Sequence, residues 1–205
     1  EIISGLVGSE MCIRDRVCFA YGVASTVGLM MCHVFGVRDQ RAYPFAVDLG
    51  VAMQITNIAR DILEDAERDR LYVPSTLLDA PVSCEGLTRG DADQRANAYQ
   101  GAMRLLDIAD EYYASAALGY GYLPPSVRQA IKVAARLYQA IGEKVSRNET
   151  AYWQRRTVVS TERKCLLIAE LFVQRMRDGS STLKVGKYQH AEHLHLALDQ
   201  RRFTA

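Results

Sequence analysis

Asp61 and Asp65 stand four residues apart in the stretch Gln54-Ile55-Thr56-Asn57-Ile58-Ala59-Arg60-Asp61-Ile62-Leu63-Glu64-Asp65. At about 3.6 residues per helical turn, Asn57, Asp61 and Asp65 share one face, with Gln54 a turn earlier beside the same stripe. Carboxylates and amides are hard oxygen donors, suited to magnesium, or to manganese in its place. Such ions keep several waters for a phosphate ligand. The chemistry suggested is metal-assisted handling of a phosphorylated substrate. The competing structural reading makes Asp61 and Asp65 solvated acids. It pairs Arg60 with Glu64 as an i, i+4 ion pair worth about 0.5 kcal/mol or less.

The elements that must position this stripe are helical. Val47, Val51, Ile55, Ile58 and Ile62 recur at steps of three and four and mark a buried face next to the polar one. The pattern predicts one helix over Tyr43 to Asp65, with Pro44 acceptable in its first turn. Asp69 to Gly90 reads as irregular, broken by Pro74, Pro81 and Gly86. Further helices are predicted from Asp91 to Leu118, from an N-cap at Ser126 to about Val145, and from Thr161 to Met176 with a stop near Gly179. No alternating run argues for a sheet, and no repeat is visible. All-α is the fold class.

The acids continue into Asp69-Arg70-Leu71-Tyr72-Val73-Pro74. Together with Gln54 to Asp65, this stretch resembles the second aspartate-rich motif of the squalene/phytoene synthase family, in its bacterial phytoene synthase form. Tyr21-Gly22-Val23-Ala24-Ser25-Thr26-Val27-Gly28 is similar to the family's YGVAGTVG helix, which lines the prenyl-chain tunnel. Where many relatives have Tyr two residues before Tyr21, this chain has Phe19. The resemblance runs over roughly Val17 to Leu171, within a domain taken as residues 17–178.

The resemblance implies an isoprenoid (terpenoid) synthase-type helical bundle. It also implies head-to-head condensation of two geranylgeranyl diphosphates to phytoene through the cyclopropyl compound prephytoene diphosphate, in carotenoid biosynthesis and without NADPH. Asp61, Asp65 and Asn57 would hold magnesium. Asp61, Asp65, Arg70 and Tyr72 would serve the reaction. Gln54, Asn57, Arg60 and Tyr138 would meet the diphosphate end of the substrate, and Val23, Ala24, Val27, Gly28 and Met31 would wall the isoprenoid. Tyr138, in a segment similar to the family's AxxLYRAI helix, reads equally well as an ordinary half-buried aromatic. Arg155 and Arg156 lie where relatives often carry an arginine, and the preferred reading is simple exposure. Squalene or dehydrosqualene synthesis, and a non-catalytic isoprenoid-binding or partner protein, are the alternatives.

Composition bounds the rest. With 205 residues the chain suffices for one domain with a sizeable core. A net charge of +1 supplies no field for nucleic acid or an anionic membrane. Five scattered cysteines without a CxxC read as reduced thiols, which suits the cytoplasm. Val17 to Val37 contains no charged side chain and matches the roughly 20 apolar residues that span a bilayer. A helix buried on all sides is the preferred reading, and peripheral membrane association stays open.

Asp107, Asp110 and Glu111 read as the solvent side of an amphipathic helix rather than a second metal face. His190, His193 and His195 have metal-ligand spacing but read as a solvated tail within a divergent segment over 179–205. Residues 1–16 resemble no family sequence, and SEMCIRDR resembles translated sequencing-adaptor read-through. The family's first aspartate-rich motif is not found before Phe19. The expectation is therefore a bundle incomplete at its N-terminus, with uncovered apolar surface and little synthase activity.

Overall fold

The computed structural model describes residues 12–177 and 189–199. The predicted stop at Gly179 lies outside them. All regular structure among the described residues is helical.

The chain enters α1 (Ile13–Ala20), passes through a π-helical turn (Tyr21–Ser25) and continues as α2 (Thr26–Val34). Residues Ile13 to Arg16, read from sequence as a leader, thus form the first turn of this helix. Ile13–Val34 is long and apolar enough to cross a membrane by length and composition. The expectation that this helix is buried on all sides needs correction. Val17, Ala20, Ser25 and Cys32 face the core, while Val27, Met30 and Val34 are exposed, Val34 by 73%. Its core-facing side packs on a long helical neighbour.

That neighbour is α3 (Tyr43–Arg60), the central element, which packs against α2, the π turn, α6 and α7. Its fully buried residues Val51 and Ile55 lie on the face marked by the apolar spacing. Gly28 allows the approach of α2, since a Cβ there would lie 2.9 Å from the Ala46 carbonyl oxygen.

The single helix predicted over Tyr43 to Asp65 is instead interrupted. Asp61 adopts φ −105° and ψ 17°, and the chain restarts as α4 (Ile62–Ala66). The segment predicted as irregular holds a short 3-10 turn (Ser75–Leu77) and α5 (Cys84–Arg89). The Ser83 side chain caps α5 by accepting from the Gly86 N–H, and Gly90 ends it at φ 84°.

Helix α6 (Ala92–Leu118) starts where Asp91 accepts from the Gln94 N–H at 3.0 Å. Helix α7 (Pro125–Arg147) begins from Pro124 rather than from an N-cap at Ser126, because Pro125 supplies a first-turn residue that needs no N–H acceptor. Asn148 caps α8 (Glu149–Gln154), and α9 (Thr161–Arg177) packs on α7. A 3-10 turn (Glu192–His195) and α10 (Leu196–Asp199) return to α1.

Candidate active site

The interruption at Asp61 keeps the polar stripe continuous. The Asp61 N–H still donates to the Asn57 carbonyl at 3.0 Å, and the Asp65 N–H to the Asp61 carbonyl at 2.8 Å. Asn57, Asp61 and Asp65 therefore follow one another along the same side of the bend.

Two guanidiniums converge on Asp61. Arg60 donates through Nε at 2.6 Å and again through Nη2. Arg156, between α8 and α9, donates through Nε at 3.1 Å and Nη2 at 3.3 Å, and also reaches Glu64 at 3.4 Å. Burial pushes the Asp61 carboxyl up, but the hydrogen bonds from Arg60 and Arg156 outweigh it and hold the group below its ordinary value.

Asp65 moves the other way. Burial, then the negative charge of Asp61, pushes it up to about 6 against the opposing charges of Arg68 and Arg70. One committed anion thus stands a turn away from an acid that resists ionisation, a pairing that a bound cation relieves.

Two sequence expectations change here. The Arg60–Glu64 pair does not form, since Arg60 turns to Asp61 and Glu64 pairs with Arg156. Arg156 is half exposed, yet it is also a direct partner of the acid stripe rather than a bystander. Beyond it, Lys144, Arg147, Arg155 and Arg163 line a basic groove of about 700 Å³.

A second cavity, of about 400 Å³, opens between α2, α3 and α7. Val23, Ala24, Val27, Gly28 and Met31 form one wall. Gln54, Asn57 and Tyr138 also line it, and they carry it to the start of the acid stripe. Gln54 and Asn57 face one another across 3.5 Å. The lining is apolar along α2 and becomes polar where it meets the stripe.

Tyr72 stacks on Phe19 at 5.6 Å, and Arg16 lies 5.0 Å above the Tyr72 ring. Arg70 is exposed, with its N–H donating to the Asp65 carbonyl at 2.9 Å. Reading residues 1–16 as a leader gives Arg16 no role, whereas it is 2% exposed. It donates to the Leu71 carbonyl, and its Nε and Nη1 are buried without a hydrogen-bond partner among the described residues. Burial lowers its pKa to about 10 despite Tyr72, Asp15 and Asp65 nearby. No local pattern around Arg16 signals this, because apart from Asp15 the groups it meets come from after residue 64.

Asp107, Asp110 and Glu111 lie on the exposed side of α6, as the amphipathic spacing predicts. The reading of the histidines as a solvated tail is corrected. His190 and His195 are half-buried and sit on the fully buried Asp48 at 2.8 and 2.7 Å, while His193 is exposed. Asp48 lies on the core side of α3, so its need for donors draws the two rings in.

The described residues thus form an all-helical scaffold in which an apolar cavity runs up to a stripe of acids and arginines. Residues 15–163 match the model of the squalene/phytoene synthase family, and the chain belongs to that family. It is 42% identical over 159 residues to the 15-cis-phytoene synthase of Enterobacter agglomerans, covering 76% of this chain and 52% of that protein. It is 42% identical over 156 residues to the phytoene synthase of Pseudescherichia vulneris, covering 76% and 50%. With the 15-cis-phytoene synthase of Pantoea ananas the identity is 38% over 172 residues, covering 80% and 54%. The chain spans about half the length of these relatives.

Proposed function

We propose that this chain is part of a phytoene synthase, a prenyltransferase that joins two geranylgeranyl diphosphates head to head. The observation that carries the reading is the cavity whose wall runs from Met31 to Gln54 and Asn57. In this reading an isoprenoid tail lies between α2 and α7, with its diphosphate beside Asp61 and Asp65. The relatives named phytoene synthase support the same reading.

The donor set fits magnesium: carboxylate and amide oxygens lie on one face, and burial together with the charge of Asp61 pushes Asp65 up to about 6. Asp65, Asn57 and the free lone pairs of Asp61 would hold the ion. When bound, it neutralises diphosphate charge and improves the leaving group. The residues of this chain do the remainder. Arg60 and Arg156 fix the Asp61 carboxylate in orientation. Arg70, exposed beside Asp65, is free to meet phosphate oxygens. Tyr72, stacked on Phe19, offers a π face and a hydroxyl near the developing cation. The Val23 to Met31 wall keeps water from that cation. A cytoplasmic location with peripheral membrane contact goes with this reading, the membrane contact supported by the exposed Met30 and Val34.

The test is product analysis with geranylgeranyl and farnesyl diphosphates, with and without NADPH. It uses the chain and, where its reading frame extends, the extended protein. Phytoene from geranylgeranyl diphosphate without NADPH is expected. Squalene from farnesyl diphosphate with NADPH would replace the assignment by the alternative, and binding without any product would indicate a non-catalytic protein.

A further inference from the structure

We propose that Asp48, His190 and His195 form a binding site for a divalent transition metal of the zinc type, which fastens the C-terminal segment to the helical core. The site is independent of the acid stripe. Asp48 and Asp61 are 13 positions apart on α3, about 20 Å along its axis.

Asp48 is 0% exposed in the middle of α3. A buried carboxylate is costly unless compensated, and what surrounds this one has the form of a coordination shell. His190 Nε2 lies 2.8 Å from Oδ2 and His195 Nε2 lies 2.7 Å from Oδ1, so each oxygen faces one imidazole. The same ring nitrogen is presented both times, and the ligand atoms all lie within 4.8 Å of one another. With metal–ligand bonds of about 2.0–2.1 Å, tetrahedral ligand atoms stand about 3.3 Å apart, so the rings need draw back by only about half an ångström to admit the ion.

Two imidazoles with one carboxylate select a borderline metal such as zinc over magnesium, which prefers oxygen donors throughout. The surroundings suit a structural site. Ser115 Oγ on α6 donates to Asp48 Oδ2 at 2.6 Å and fixes the carboxylate. The edge of one ring of the His190–Phe45 pair meets the face of the other at 5.5 Å, and the two imidazole side chains are only 13% and 14% exposed. The backbone that carries them is anchored as well. Tyr112 Oη donates to the Leu194 carbonyl at 2.8 Å, and Cys18 Sγ to the Ala197 carbonyl at 3.2 Å. A ring that ligates the ion presents its Nε2 lone pair, with its proton on Nδ1.

The purified chain, kept reduced and in excess magnesium, is titrated with zinc by calorimetry and with cobalt by visible absorption. One equivalent of zinc is expected to bind and raise the melting temperature. Cobalt should give ligand-field bands without thiolate charge transfer. In H190Q/H195Q the affinity should fall by about tenfold or more, while H193Q and D61N/D65N keep it. The single variant H195Q, checked for helical content, guards against loss of folding. Absence of zinc binding by the unsubstituted chain would overturn the proposal. So would thiolate bands with cobalt, or equal affinity in the folded histidine variants, which would leave Asp48 as a hydrogen-bonded carboxylate only.

Discussion

Arg156 closes on Asp61 from 95 residues further along the chain, its Nε 3.1 Å from Oδ1. The contact ties the segment after α8 to the bend at the end of α3, and it gives Asp61 a second cation beside Arg60.

Replacing Arg156 by Ala removes one of the two groups that hold Asp61 below its usual range. The Asp61 carboxyl should therefore titrate at higher pH in the variant, as followed by carboxyl carbon NMR. Because Arg156 is half exposed, the stability loss in urea should stay below about 1 kcal/mol. An unmoved Asp61 titration would show that Arg60 alone sets it.

Asp65 makes stability pH-dependent in metal-free buffer. Its folded pKa of about 6 lies above the unfolded value of 3.8. The native state binds the extra proton between these values, so stability falls as pH rises through this window. The penalty is absent below the unfolded value and fully present above about pH 6. Asp65→Asn should match the parent chain near pH 3.5 and exceed it near pH 8 by about 1 kcal/mol, allowing for solvent screening. Urea melts at the two pH values decide this, and an equal difference at both would sink it.

Gly50 carries the closest approach of α3 to the π turn. A Cβ there would lie 2.6 Å from Ser25 Cα and 2.7 Å from Ser25 N, both backbone atoms that cannot rotate away. The Ser25 hydroxyl also donates to the Val47 carbonyl at 2.8 Å, locking the same contact. Gly50→Ala is expected to lower stability by about 3 kcal/mol despite its better helix propensity. A stabilised G50A by thermal melting would show that the two elements separate easily.

Tyr152 buries its hydroxyl and donates to the Ala59 carbonyl at 2.7 Å, just before the bend. Tyr152→Phe leaves that carbonyl without this donor and should cost about 1–2 kcal/mol. Hydrogen exchange should quicken at Asp61 to Asp65 more than in α6. Uniform quickening would mean that Tyr152 supports the core in general and not the bend.

The sequence by itself determined the helical class and the faces. Repeats at three and four positions specify which side of α3 is buried, and they place Asn57, Asp61 and Asp65 on the adjoining side. The small and apolar residues from Val23 to Met31 likewise marked a cavity wall, since periodicity is a local property that any short window carries. The break at Asp61 was not legible, because the residue types from Ile58 to Asp65 all suit a continuous helix, whereas the bend brings in Arg156 from 95 positions away. Nor was the fate of His190 and His195, which meet Asp48 across 142 and 147 positions. Their local context is polar, and only a buried carboxylate in need of donors turns that segment inward. Spacing along the chain encodes faces. Which distant charge meets which face is decided when the core closes and every buried polar group must find a partner.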